Sequence, residues 1–360
     1  MKLSYISIYF YKLSYQISTK KIYKLLFIIH LMFNILIFIV FSILFEEMHI
    51  FYFYRNSIIY KNIWTLMNNM ILKQVNTLYK KDGLHNTLIN NVKIFKTSKS
   101  TPRTPLLYDL CLVLVLQGKK IGYLGGETFE YNYKNYLVIP TTLPFECETH
   151  ASKEEPFICI LITIDKKIMY ELIDNISTKT IKKDKKCDLG VFSDSVDTNI
   201  EDITLRLVKI LSSKEDSKIL GSSVLRELYY RIINGENSCF LHKMFLNTNN
   251  EAKISRALRN IHENYNKHLD IPSLAKNEDM SVSSFHTHFK KITSHSPLQY
   301  IKNIRLNKAK DFLAQQNYQV NDTAYAVGYE SISQFSKDFK LYFSYPPKEA
   351  KASFEEYKLF

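Results

Sequence analysis

The sequence predicts a multidomain α+β chain: a small β domain built as a sandwich or barrel, a helical linker, and an all-α C-terminal domain of two helix-turn-helix units. Three observations carry this. Short β-branched runs punctuated by glycine fill the middle of the chain. An amphipathic helical pattern follows from about 197 to 235. Near the C-terminus, Ser281-Val282-Ser283-Ser284-Phe285-His286-Thr287-His288-Phe289 is echoed 50 residues later by Ser331-Ile332-Ser333-Gln334-Phe335-Ser336-Lys337-Asp338-Phe339. The expected boundaries are a hydrophobic leader over 1–66, the β domain over 82–173, the linker over 197–235 and the helical domain over 252–352.

The leader contains Leu25 to Phe45, an apolar stretch long enough to span a bilayer. Lys20, Lys21 and Lys24 precede it, and Glu46 and Glu47 follow. The positive-inside rule would leave everything downstream outside the cytoplasm. Met48 to Leu66 carries Arg55 and Lys61 and makes a poor second span. The favoured reading is that residues 1–66 are not part of the working protein, with the start at Met67 or Met70. A membrane anchor at 25–45 is the alternative.

In the β domain, Tyr108 to Gln117 is an apolar run ended by Gly118. Lys120 to Leu124 leads into Gly125-Gly126, and Glu127 to Tyr133 completes a hairpin pattern. Tyr136 to Pro140 and Phe157 to Ile164 add two strands. Tyr131, Tyr133, Tyr136 and Phe145 are candidates either for an apolar pocket or for ordinary core. Glu127, Glu130, Glu146 and Glu148 are expected on solvated faces or the rim. A metal centre needs clustered His and carboxylate. This segment offers only His85 and His150, far apart, so neither a metal nor a cofactor is expected. Cys111, Cys147, Cys159, Cys187 and Cys239 show no C-x-x-C spacing, which points to neither zinc nor a disulfide framework and fits a reducing compartment.

Asp165 to Lys186 reads as a helix and a Lys-rich loop. Ile203, Leu207, Ile210 and Leu211, then Leu220, Val224, Leu225, Leu228, Tyr229 and Ile232, give two amphipathic helices joined by a polar turn at Ser212 to Ser217. Their apolar faces would cover either the barrel or a second subunit.

Each C-terminal repeat opens with a Ser able to cap a helix and carries two Phe four residues apart. At about 100° per residue those Phe define the inward face. Ser283, Ser284, Thr287, Lys290 and Lys291 then point outward in the first copy. Ser333, Gln334, Lys337, Lys340 and Leu341 do so in the second. Small polar side chains can reach base edges while Lys neutralises phosphate. Before each copy lies a shorter helical signal and a turn. Pro272, Ala275 and Met280 mark the first; Ala324 and Gly328 mark the second. Ile301, Ile304, Ala309, Phe312 and Leu313 give the intervening segment helical spacing, so one rigid helix would hold the two outward faces at a fixed separation; if that is about 34 Å, one DNA turn, both can enter successive major grooves.

Ser296-Pro297-Leu298-Gln299-Tyr300, Arg305-Leu306, Ala309, Ala324 through Ser331, Gln334-Phe335-Ser336 and Phe339-Lys340 resemble the DNA-binding domain of the AraC/XylS family of bacterial transcription regulators, over about Ile254 to Ala352. Thr287 stands where many relatives have Arg, and Ser294 and Ser344 stand where Gly often ends the recognition helix. Thr101 through Pro105, Gln117 through Lys120, Tyr136-Leu137-Val138 and Leu143-Pro144 resemble the cupin-like N-terminal domain of one branch of that family. The resemblance implies a cupin-like β-barrel that senses a small-molecule effector or dimerises. It implies double-stranded DNA, RNA polymerase and a second copy of the chain as partners, and adds Arg305 to the DNA-contact set.

The expectation is therefore a cytoplasmic, sequence-specific transcription regulator with no catalytic residues. The alternatives are a metal-independent cupin enzyme fused to a helical bundle and a membrane-anchored sensor. A formal net charge of +13 favours nucleic acid or an anionic membrane, but Lys is abundant throughout, so charge alone does not choose.

Overall fold

The computed structural model describes residues 32, 69–176, 189–245, 250–315 and 318–357. The chain divides into two units, 1–67 and 68–360, and the sheet and helices lie in the second. Apart from residue 32, the Leu25 to Phe45 span and the Met48 to Leu66 segment lie outside the described residues. No helix among the described residues is long and apolar enough to cross a membrane.

Ten antiparallel strands make one sheet: β1 (Gly83–Asn86), β2 (Val92–Thr97), β3 (Thr101–Tyr108), β4 (Cys111–Gln117), β5 (Lys119–Leu124), β6 (Glu127–Asn132), β7 (Asn135–Ile139), β8 (Leu143–His150), β9 (Phe157–Thr163) and β10 (Phe192–Ser195). The order is β1-β2-β9-β4-β7-β6-β5-β8-β3, with β10 on β7, so the sheet rolls into a half-barrel whose end strands are β1 and β3. Strand β4 has both neighbours, and Cys111 through Leu116 are all buried, which is why it reads as an unbroken apolar run.

That run is shorter than expected. Tyr108 closes β3, and the chain turns at Asp109 and Leu110 before β4 begins. Strand β3 itself holds Pro102 and Pro105, which deprive a ladder of N–H donors. It forms because it is an edge strand, paired only with β8 and interrupted by a register shift between Thr101 and Thr104. The β5–β6 hairpin turns on Gly125 and Gly126, both at positive φ (61° and 85°), the backbone that a two-residue turn matched to strand twist requires.

Tyr131, Tyr136 and Phe145 are core residues, whereas Tyr133 faces solvent. Within the half-barrel, Tyr108 and Tyr131 share a hydrogen bond of 3.1 Å, and Phe145 stacks on Tyr108. Lys120 is buried among them. Its ammonium lies 5.2 Å from the Phe95 ring and 5.4 Å from that of Phe157, and burial pulls its pKa down to about 8.

Helices α1 (Lys166–Asn175), α2 (Thr198–Ile210), α3 (Lys214–Ile233) and α4 (Cys239–Phe245) follow. Ser213 caps α3 by accepting from the Asp216 N–H. The inner faces of α2 and α3 join the half-barrel core, with Tyr229 Oη donating to the Thr163 carbonyl at 3.1 Å. Cys111, Cys147 and Cys159 are free and buried. Cys239 is disulfide-bonded, contrary to the expectation from spacing. Sequence spacing recognises clustered pairs only and is blind to cysteines brought together by folding.

The C-terminal helices are α5 (Asn250–Asn264), α6 (Ile271–Asn277), α7 (Val282–Thr293), α8 (Pro297–Gln315), α9 (Val320–Ala326), α10 (Ile332–Phe343) and α11 (Ala350–Tyr357). They feed two separate cores. Phe285, Phe289 and Ile292 of α7, with Tyr300, Ile301 and Ile304 of α8, belong to one core with the half-barrel. Leu306, Ala309 and Leu313 of α8, with Phe335, Phe339 and Phe343 of α10, form the second. Helix α8 is thus buried along both sides, and at 19 residues is about 28 Å long.

Candidate nucleic-acid interface

The duplication is visible in the geometry. Helices α7 and α10 start and end 50 residues apart, whereas α6 and α9 are offset by 49. The second turn is one residue longer. Asp279 (φ 50°) and Gly328 (φ 87°) supply the left-handed residue at matching places. A side chain on Gly328 would meet the Asn266 carbonyl oxygen at 2.7 Å, so only glycine fits there.

Both long helices are set by the same local chemistry. Ser281 Oγ accepts from Ser284 N–H at 3.2 Å, and Ser331 Oγ from Gln334 N–H at 3.3 Å. Ser294 and Ser344 end them in the left-handed region (φ 61° and 68°), each N–H donating to the carbonyl of the Lys four residues back. Phe285 and Phe289 are wholly buried, and Phe289 meets Tyr300 edge-on at 5.3 Å. Phe335 and Phe339 repeat the arrangement, with Tyr329 edge-on to Phe335 at 5.3 Å.

With the Phe faces fixed, the opposite faces are open. Ser283, Thr287, Lys290 and Lys291 are exposed on α7, and Ser284 is half-buried. Thr287 Oγ donates to the Ser283 carbonyl at 3.0 Å, one turn back. On α10, Ser333, Gln334, Lys337, Lys340 and Leu341 are exposed. Leu341, 79% exposed, is an apolar point on an otherwise polar face.

Arg305 is placed differently from the rest of the expected contact set. Its Nε donates to the Tyr265 carbonyl at 2.8 Å and its Nη2 to that of Lys267 at 2.9 Å. The guanidinium ties α8 to the chain just beyond α5, with two of its five N–H groups given to backbone carbonyls. A signature position gave no hint of that, because packing and recognition can both fix an arginine.

Sequence reasoning missed Asp338. It lies between the two Phe of α10 and is nearly buried. Its Oδ1 accepts from Gln334 Nε2 at 2.9 Å and faces Lys302 Nζ at 2.8 Å, while Tyr329 Oη donates to Oδ2 at 3.3 Å. One carboxylate thereby joins the exposed Gln334 to α8 and to the preceding turn. The i, i+4 spacing of Gln334 and Asp338 was the available signal.

The barrel rim touches this domain. Tyr300 Oη donates to the Thr142 carbonyl at 2.6 Å, and Gly190 N–H to the Ile292 carbonyl at 3.0 Å. A Cβ on Gly125 would collide with Ser294, so the β5–β6 turn sits hard against the end of α7.

The family model for the AraC-type transcriptional regulator N-terminus matches residues 88–239, and a helix-turn-helix domain model matches 274–353. The lactose operon transcription activator of Staphylococcus xylosus is 25% identical over 244 residues, which is 68% of this chain and 84% of that protein. The transcriptional activator RhaS of Salmonella schwarzengrund is 26% identical over 104 residues, covering 29% of this chain and 37% of the relative. Among solved structures, an apo form of ToxT from Vibrio cholerae shares the fold with a TM-score of 0.51 at 13% identity, over 76% of this chain and 99% of that one.

Proposed function

This chain belongs to the AraC-type transcriptional regulators, DNA-binding proteins of transcription, and on that footing we propose that it reads two successive major grooves with α7 and α10. The observation that carries the reading is the pair of Ser-capped helices whose buried Phe faces leave polar, Lys-bearing faces open to solvent. Ser283, Ser284, Thr287, Ser333 and Gln334 are the base-reading candidates. Lys290, Lys291, Lys337 and Lys340 are the phosphate contacts. The N-terminal half-barrel responds to a small-molecule effector, and the chain acts on RNA polymerase in the cytoplasm without catalysis of its own. A second copy of the chain is a partner in the same reading.

A gel shift with the purified protein on DNA flanking its own gene tests this, followed by footprinting. Protection of two patches about one helical turn apart, lost in high salt, is the expected result. Binding no tighter to that DNA than to random sequence would return the enzyme reading to the front.

A further inference from the structure

A short segment joins the two reading units besides α8. Residues 264–267 form the turn that leaves α5: Lys267 N–H donates to the Asn264 carbonyl at 3.0 Å, and Lys267 Nζ to Asn264 Oδ1 at 2.9 Å. This turn is the lead-in to the first unit. It also abuts the second, since a Cβ on Gly328 would lie 2.7 Å from the Asn266 carbonyl oxygen. Tyr265 packs against both cores.

Arg305 reaches this turn from the middle of α8. Its fork spans the carbonyls of Tyr265 and Lys267, at 2.8 and 2.9 Å. A planar guanidinium with two N–H groups on two acceptors fixes orientation as well as distance, which an ammonium does not. Burial lowers the Arg305 pKa, and Tyr329 and Glu330, the two residues after Gly328, act against that by favouring the charge. The side chain therefore sits where the lead-in of the first unit and the turn of the second converge. DNA makes that place matter. One base pair advances the groove by about 3.4 Å and turns it by about 35°. Two helices that read a fixed interval must hold separation and phase to better than that. Helix α8 sets the axis between them, and a contact off that axis is what resists rotation of one unit about it.

We propose that Arg305 is a positioning residue for DNA recognition: its clamp on the 265–267 turn locks the phase of α7 against α10, and so selects the one spacing between half-sites that the protein accepts. The inference rests on the two-groove reading and identifies what sets its interval. The carbonyls that Arg305 holds flank the exposed Asn266 and belong to a turn open to solvent, so water can replace the guanidinium there. Loss of Arg305 thus loosens the clamp without emptying a core.

The test uses the full chain and the footprinted DNA, with two further duplexes in which the interval between the protected patches is one base pair longer or shorter and both patches are intact. The native protein should lose about ten-fold or more in affinity on either altered duplex. Arg305→Ala and Arg305→Lys should each lose less than about three-fold on them, and should bind a duplex with one patch randomised as the native protein does. The spacing penalty is a ratio within one protein, so a general loss of stability cancels from it. Lysine keeps the charge on a flexible stem, so Arg305→Lys carries the test if the alanine variant melts below the assay temperature. The proposal is overturned if the native protein tolerates the altered intervals, or if Arg305→Lys keeps the native penalty. It is equally overturned if Arg305→Ala weakens all duplexes alike, random DNA included, with a salt slope shallower by about one unit, the mark of a phosphate contact. A single protected patch in the native protein sinks the two-groove reading itself, and the proposal with it, before any variant is compared.

Discussion

One amide hydrogen of Gln334 is committed to Asp338, which leaves its second hydrogen and its carbonyl oxygen for a base. That is the donor–acceptor pair an adenine edge requires, held in one orientation before DNA arrives. Gln334→Ala should cost about 1–3 kcal/mol on the preferred site and relax preference at one base pair. Asp338→Ala should relax the same position, and the double variant should lose less than the sum, with a coupling of about 0.5–3 kcal/mol. Additive losses across a randomised-site binding series would show that Asp338 does not position Gln334. Lys337→Ala or Lys340→Ala should instead weaken all sequences alike and make the salt slope shallower by about one unit. Lys310, on α8, is a different kind of lysine: it is buried against the Phe343 ring, and burial lowers its pKa to about 8. Its folded pKa lies below the unfolded value of about 10.4, so the burial penalty is full below pH 8 and lifts as pH rises toward 10. Lys310→Met should therefore stabilise at pH 7, by up to about 3 kcal/mol, and the gain should shrink by pH 10. A pH-independent difference between the two melting curves would contradict this.

Helices α7 and α10 each stop on a serine held in the left-handed region, a conformation that costs an L-residue roughly 1–2 kcal/mol. Ser344 is exposed. Ser344→Gly should stabilise by about 1 kcal/mol and raise the melting temperature by a few degrees; an unchanged or lower melt would mean the cap is not strained. Phe335→Ala should cost about 3–5 kcal/mol because it empties the space between Tyr329 and Phe339. These helices were legible in the sequence because the capping Ser and both Phe fall within nine residues. The β5–β6 hairpin was legible for the same reason, its Gly125-Gly126 turn being local. What escaped was set by distant partners. Strand β3 carries Pro and forms because it finds β8 at the sheet's edge, and the Glu-bearing β8 forms because it lies between β3 and β5. The role of Arg305 depends on two carbonyls some 40 residues away, and that of Asp338 on Lys302 of another helix.

The two reading units are unequal partners of the rest of the molecule. The first shares its core with the half-barrel; the second rests on a small core of its own. Amides of Ile332–Phe343 should therefore exchange with solvent faster than those of Val282–Thr293, in a unit that opens before the remainder unfolds. Equal protection in both helices would show that the two cores melt as one. The faces differ as well: Ser284 and Thr287 in one copy correspond to Gln334 and Lys337 in the other. Two unlike heads on one chain have no dyad, unlike two subunits related by symmetry. A site recognised this way has a left and a right. Turning it end for end beside a promoter would point the half-barrel away from whatever it faced before, so the protein's output should depend on the direction of its site and not only on its presence.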